Sequence, residues 1–282
     1  MSLENLREWV GRTQVVEDFA APFPVRALIA TFDEKDREPK IGDPLPPLWH
    51  WLYFLDTAPQ SRIGPDGHAE RGDFLPPVPL PRRMWAGSRF AFNGAPLRVG
   101  QTIRRASKIK SVEPKTGSTG SMVFVTVEHT VSGPDGAAFV EEHDIVYREP
   151  AKPGEKQRDP RPAPADATWS RTIAADPVLL FRFSALTFNG HRIHYDHPYV
   201  TGAEGYPGLI VHGPLMGMVQ MELARRSNPD RVPTNFEFRA LAPVYGGATF
   251  TVQARREADG SVTTWIADRS GGLAQQGKAT FK

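Results

Sequence analysis

Apolar and polar residues alternate over residues 121–131 and again over 138–147, with the turn sequence Ser132-Gly-Pro-Asp-Gly136 between them. Alternation in a stretch rich in β-branched residues turns one strand face to a core and the other to water, so this region predicts an antiparallel hairpin. The pattern returns near the end of the chain, with strands predicted over 248–256 and 262–268. Turn chemistry follows each, at Ala258-Asp-Gly260 and Ser270-Gly-Gly272, and a last strand closes the chain. Helical spacing is clearest over 214–226, where Leu215, Met218, Val219 and Leu223 fall near one face. Pro214 suits the first turn, Arg225 and Arg226 the last, and Asn228-Pro229 a stop. Residues 48–55, after Pro46-Pro47, occupy the corresponding place in the first half and predict a second helix. One helix and one antiparallel meander, occurring twice, is an α+β layout.

A residue-level match supports the repetition. Phe90 and Phe92 correspond to Phe236 and Phe238, Pro96 to Pro243, Gly100 to Gly247 and Thr102 to Thr249. Similarity at a nearly fixed offset suggests an internal duplication. Between the copies lies a charged, proline-rich stretch almost free of large apolar residues, which reads as an extended linker. The expected division is a unit over 1–149, a linker over 150–167 and a second unit over 168–282.

Composition narrows the chemistry. The 282 residues contain no cysteine, which removes disulfides, thiolate nucleophiles, iron–sulfur clusters and Cys-type zinc sites. The net charge of +2 and the mixed-sign charge runs give no polyanion-binding stripe, so nucleic acid is not an expected partner. No stretch approaches the roughly 20 apolar residues of a membrane helix. The opening MSLENLREWV lacks the apolar run of a secretion signal, so a cytoplasmic location without membrane attachment is expected.

Four of the eight histidines, His191, His194, His197 and His212, lie within 22 residues. The three-residue spacing of the first three raises a metal site, but Gly190 and Pro198 bracket a turn-like segment and only Asp196 offers a carboxylate. No metal is expected. Acid–base work suits imidazole, whose unperturbed pKa lies near neutrality. Asn189 precedes His194 by five residues and could orient water or substrate. The backbone N–H of Gly213, at the start of the helix over 214–226, could stabilise developing negative charge.

The block Asn189-Gly-His-Arg-Ile-His194, followed by Ile210-Val-His-Gly213, resembles the hydratase motif of MaoC-like, hot-dog-fold enoyl-CoA hydratases. In that family an Asp and a His five residues apart activate water, and the glycine of a His-Gly pair gives the oxyanion N–H. The resemblance implies a catalytic set of His194, Asn189 and Gly213, with Asn189 where the family usually has Asp and His191 where it usually has Asn. An amide cannot accept a proton at neutral pH, so His194 is left as the base of that pair.

The longer run from Phe183 to Asp196, with Pro47-Leu-Trp-His-Trp-Leu-Tyr-Phe54 and Leu80-Pro-Arg-Arg-Met-Trp-Ala-Gly87, resembles a narrower group. It comprises mitochondrial-type 3-hydroxyacyl-thioester dehydratases and the mesaconyl-C4-CoA and itaconyl-CoA hydratases. The implied fold is a double hot-dog, two antiparallel sheets each wrapping a central helix, with Trp51 of a degenerate first unit opposite Gly213. The implied substrate is an acyl-CoA, with coenzyme A part of the substrate and no separate cofactor. His191, Tyr195, His212, Arg192 and Arg182 are candidate substrate-binding residues, the two arginines as partners for a far carboxylate. Arg82 and Arg83 are candidates for the CoA phosphates.

The favoured activity is hydration of a branched C5 dicarboxylyl-CoA, itaconyl-CoA or mesaconyl-C4-CoA, to citramalyl-CoA. A fatty-acid 3-hydroxyacyl-thioester dehydratase, a hot-dog thioesterase and a non-catalytic acyl-thioester-binding module are the alternatives. Assembly is left open between the single fused chain and a homodimer.

Overall fold

The computed structural model describes residues 3–35, 38–92, 94–117, 120–149 and 159–282. Half of the expected linker, 150–158, therefore lies outside the described residues. The first half contains β1 (Thr13–Phe19), α1 (Pro22–Thr31), β2 (Arg82–Phe92), β3 (Thr102–Gly117), β4 (Gly120–Gly133) and β5 (Gly136–Arg148). The second contains β6 (Trp169–Ala174), α2 (Pro177–Leu186), the short α3 (His197–Gly202), α4 (Gly213–Arg226), β7 (Pro233–Ala240), β8 (Thr249–Arg256), β9 (Val262–Ala267) and β10 (Leu273–Phe281).

The strands among the described residues join one 10-stranded sheet in the order β1-β3-β4-β5-β2-β7-β10-β9-β8-β6, and every neighbouring pair along it is antiparallel. Read outward from the centre, the two sides repeat one another: β2, β5, β4, β3, β1 against β7, β10, β9, β8, β6. The two sides meet at the β2–β7 ladder, where Phe90 pairs directly with Phe236, the residue it matches in the duplicated sequence. Their rings stack with centroids 6.3 Å apart. A local two-fold axis therefore passes between duplicated positions. Both meanders lie where the alternation placed them.

The two central helices are not equal. In the second half α4 crosses the sheet with Leu215, Met218, Met221 and Ala224 fully buried. In the first half the helix expected over 48–55 is reduced to a 3-10 turn at Trp49–Leu52. Leu48 and Phe54, on either side, hold φ values of 70° and 57°, in the left-handed region that a helix cannot use. A segment this short does not gain enough hydrogen bonds to offset helix nucleation. The sheet face left uncovered is filled by irregular chain. Leu6, Val78 and Leu80 pack against Ile109, Val123, Val125 and Tyr147, so an N-terminal 3-10 segment and a proline-rich loop do the covering. Arg71 donates to the carbonyls of Val78, Leu80 and Pro81 and satisfies that loop's backbone. The remaining helix pair, α1 with α2, links the halves, and α1 was not marked by the apolar pattern. No helix among the described residues is long and apolar enough to cross a membrane.

Candidate active site

The histidine-rich block lies between α2 and α4. Asp176 caps α2 by accepting from Leu179 N at 2.8 Å, and the chain leaves the helix at Phe188, φ 48°. Asn189 then closes a local turn, its Oδ1 accepting from His191 N at 3.0 Å. A 3-10 turn, Arg192–His194, carries the central imidazole inward, and Asp196 caps α3 through Tyr199 N. Residue 210 is drawn onto this turn by Ile210 N donating to Ile193 O at 2.9 Å.

That contact fixes His194. Its Nδ1 lies 2.7 Å from Ile210 O. A carbonyl only accepts, so Nδ1 carries the hydrogen and the neutral ring presents its lone pair at Nε2. His194 is 6% exposed, and burial holds its pKa down to about 4 despite the stabilising carbonyl. His212 stacks on it with centroids 3.6 Å apart, and its own Nε2 meets Ser184 Oγ at 2.8 Å. His212 is completely buried and pushed well below the usual histidine range by burial. It forms the floor beneath His194.

α4 begins beside this stack. His212 occupies the cap position without a side-chain capping bond, and Pro214 has no N–H, so Gly213 presents a donor at the positive end of the helix. A Cβ built on Gly213 would meet nothing within 4 Å. Open space therefore lies beside its Cα, where a side chain would stand. From behind, Gln275 donates to Gly213 O at 3.2 Å, and Gln220 and Thr264 extend this buried network.

The first half adds residues that sequence reasoning did not select. The loop Gly64-Pro-Asp-Gly-His68 crosses to the second half and touches the histidine block. A Cβ at Gly67, φ 89°, would lie 1.9 Å from Gly190 O, so only glycine permits this approach. Arg192 N donates to Asp66 O at 2.9 Å and its Nη1 to Pro65 O at 2.9 Å. Asp66 Oδ2 lies 3.0 Å from His68 Nδ1, and the His68 ring sits 4.1 Å from that of His191. His191 in turn stands edge-on to His194 at 5.5 Å. Burial opposes ionisation of Asp66, but the bonds from His68 and the charge of Arg83 hold its carboxyl well below the usual range. Asp66, His68 and His191 bring a ligand atom each within 4.8 Å of one another. Both Asp66 oxygens already accept from His68, and Arg83 acts on all three groups as a positive charge, so the geometry suits a hydrogen-bonded pair rather than a cation.

The other candidates are scattered. Tyr195 is 50% exposed, its hydroxyl donating to Gly190 O. Arg192 is engaged by Asp196 at 2.7 Å, and Arg182 is exposed on α2. Arg82 pairs with Glu204 at 3.0 Å, which leaves it a poor phosphate ligand. Arg83 lies opposite Tyr147 in the β2–β5 ladder, and its charge acts on Tyr147, Asp66 and His191.

In the first half, the positions matching His212 and Gly213 are His50 and Trp51. Both donate to the buried Glu141, His50 Nε2 at 3.0 Å and Trp51 Nε1 at 3.3 Å, and Ser88 Oγ donates at 3.0 Å. The Trp51 ring packs edge-on against Trp85 at 4.8 Å. Indole thus fills the space that stands open at Gly213.

The family description hydroxyacyl-thioester dehydratase type 2 matches residues 48–246. The mesaconyl-C(4)-CoA hydratase of Chloroflexus aurantiacus is 47% identical over 259 residues, 92% of this chain and 92% of that protein. The chain belongs to the hydroxyacyl-thioester dehydratase type 2 family. The mitochondrial hydroxyacyl-thioester dehydratase type 2 of Schizosaccharomyces pombe is 28% identical over 265 residues, 82% of this chain and 86% of that one. A MaoC-like dehydratase structure from Phytophthora capsici aligns at TM-score 0.68 and 13% identity, over 100% of this chain and 99% of that chain. A Mycobacterium tuberculosis structure described as a double hotdog fold aligns at TM-score 0.59 and 14% identity, covering 100% and 98%. The fold is a double hot-dog with one central helix shortened in the first half.

Burial of neutral imidazoles is expected to make the fold lose stability in acid. Burial lowers His194 to about 4 and His191 to about 2. It also lowers His143 to about 4 and His129 to about 3, against the pull of Glu141. In the unfolded chain each takes up a proton near 6.5, so below that pH the unfolded state binds more protons and stability falls as pH falls. His194 and His191 each contribute a slope of about 1.4 kcal/mol per pH unit between about 6.5 and 4. The urea midpoint is expected to drop steeply from pH 7 to pH 5, and His194→Gln to flatten that slope. A midpoint independent of pH over this range would contradict the buried neutral state.

Proposed function

We propose that the protein adds water reversibly to an α,β-unsaturated acyl-CoA, and that the acyl group is a branched C5 dicarboxylyl, mesaconyl-C4 or itaconyl, giving citramalyl-CoA. As a member of its family the protein is a carbon–oxygen lyase, and the hydratase relative at 47% identity supports thioester hydration. The observation that carries the reading is a neutral imidazole of fixed tautomer, His194, beside the uncapped helix start at Gly213, where no side chain crowds the approach.

In the hydration of mesaconyl-C4-CoA, whose double bond is conjugated to the thioester, His194 Nε2 takes a proton from water as the water oxygen bonds to Cβ. The π electrons shift toward the thioester oxygen, where the Gly213 N–H stabilises the enolate. The imidazolium then returns its proton to Cα, which regenerates neutral His194. Asn189, with Oδ1 engaged by the backbone, offers its Nδ2 hydrogens to orient water. Coenzyme A enters as part of the substrate.

Crotonyl-, mesaconyl-C4- and itaconyl-CoA tested side by side, by chromatographic separation of each ester from its hydrated product, provide the check. Turnover of a dicarboxylyl ester above crotonyl-CoA is expected. Turnover of long monocarboxylic esters alone would favour the fatty-acid dehydratase reading, and release of free thiol would favour a thioesterase.

A further inference from the structure

The dicarboxylyl substrate places a specific demand on the site. In mesaconyl-C4-CoA the free carboxylate is bonded to Cβ, the carbon that water attacks. Its partner cation must therefore stand close to His194, because the carboxylate is one bond from the reacting carbon. An unpaired anion there would be costly to bury and would repel the oxygen lone pair of the incoming water.

The arginines nearest in sequence do not meet that demand. Arg192 is engaged by Asp196 and Pro65 O, Arg182 is exposed on α2, and Arg82 is held by Glu204. Arg71 is engaged by three loop carbonyls. Arg83 is placed differently. It lies on β2 opposite Tyr147, and a bulge between Trp85 and Gly87 keeps it on the face shared by Trp85, Ser88 and Phe90. That is the inward face, since Ser88 and Phe90 are buried at 0% and 3% exposure. Arg83 forms no ion pair among the described residues; its one neutral partner is the Tyr147 hydroxyl across the ladder, and its charge acts on Asp66, His68 and His191.

His191 completes the arrangement. Its ring stands between those of His68 and His194, 4.1 Å from one and 5.5 Å from the other. No hydrogen bond joins its ring nitrogens to another described residue, so a neutral His191 has an N–H available. His68, anchored through Nδ1 by Asp66, packs against His191 and fixes its position.

We infer that Arg83 and His191 form the carboxylate subsite of the enzyme, with Arg83 as the counter-charge, His191 as a second donor, and Asp66–His68 as the pair that positions His191. The inference rests on the dicarboxylyl reading above and deepens it. Arg83 comes from the first half and His194 from the second, so selectivity and proton transfer arise from opposite sides of the β2–β7 junction.

The test compares wild type, Arg83→Gln and Arg83→Lys on mesaconyl-C4-CoA and crotonyl-CoA, which lacks the carboxylate. The readout is the ratio of the two kcat/KM values, so a general loss of active protein cancels. Arg83→Gln is expected to lower the dicarboxylyl-to-crotonyl ratio about 30-fold or more, the scale for deleting one partner of a buried charge pair. Arg83→Lys is expected to restore part of it. Dissociation constants for the unreactive esters 2-methylsuccinyl-C4-CoA and butyryl-CoA give the same comparison without turnover. A ratio unchanged within about threefold in Arg83→Gln would overturn the subsite while leaving the dicarboxylyl reading standing. A wild-type chain active on crotonyl-CoA but inert on both dicarboxylyl esters would instead overturn the reading beneath it.

Discussion

His194→Gln is expected to lower kcat/KM for thioester hydration by about 100- to 10,000-fold, the usual cost of deleting a catalytic base. Glutamine keeps an amide that can donate to Ile210 O, so the link between the 3-10 turn and residue 210 is retained. What it loses is a lone pair basic enough to take a proton from water. Because the overall equilibrium belongs to the substrates, dehydration should slow by the same factor as hydration. Initial rates in both directions, with near-ultraviolet circular dichroism to confirm packing, provide the measurement. Near-wild-type activity in a folded variant would remove His194 from the mechanism.

The largest expected change in stability lies away from the chemistry, at Glu141. This carboxylate is 2% exposed and receives His50, Trp51 and Ser88. Burial alone would raise its pKa, but the His50 bond and nearby imidazoles bring it down to about 2. Glu141→Ala leaves three polar groups without an acceptor, and loss of one partner from a buried pair costs about 3–5 kcal/mol. Glu141→Gln can still accept from His50 and Trp51 through one amide oxygen, with its NH2 turned to Ser88 Oγ as an acceptor, and should recover part of that loss. Urea unfolding at pH 7 measures both. A change below about 1 kcal/mol for Glu141→Ala would mean that water replaces the carboxylate. The ionised form is also lost on acidification, as pH falls from the ordinary carboxyl range toward about 2, which adds to the histidine-driven acid lability.

The strands were readable because alternation is a local consequence of burying one face, and the matching phenylalanines were readable because duplication leaves a fixed offset. His194, His212 and Gly213 were readable for a related reason. They lie on neighbouring turns of one chain segment, so sequence proximity stands in for spatial proximity. The helix over 48–55 failed because its apolar pattern belongs equally to a tight turn packed on all sides. Only the backbone at Leu48 and Phe54 separates the two. Asp66 and His68 could not be linked to His191 from spacing, since 123 residues separate His68 from it. A histidine inside the turn sequence Gly64-Pro-Asp-Gly-His68 was the one available signal. The assignments of Arg82 and Arg83 to phosphates, and of Arg182 and Arg192 to a carboxylate, depended on side-chain direction, which neither charge nor spacing encodes.

The approach of Gly67 to Gly190 has a consequence for how such a protein can diversify. In an assembly of two identical chains, any substitution is written into both copies, and each pocket must tolerate it twice. Here the halves are distinct stretches of one polypeptide, and residues of each meet at the histidine block. Residues 64–68 and β2 are free to vary while residues 189–213 stay constant. Relatives that share residues 189–213 but differ in those earlier stretches should share a reaction and differ in what they accept.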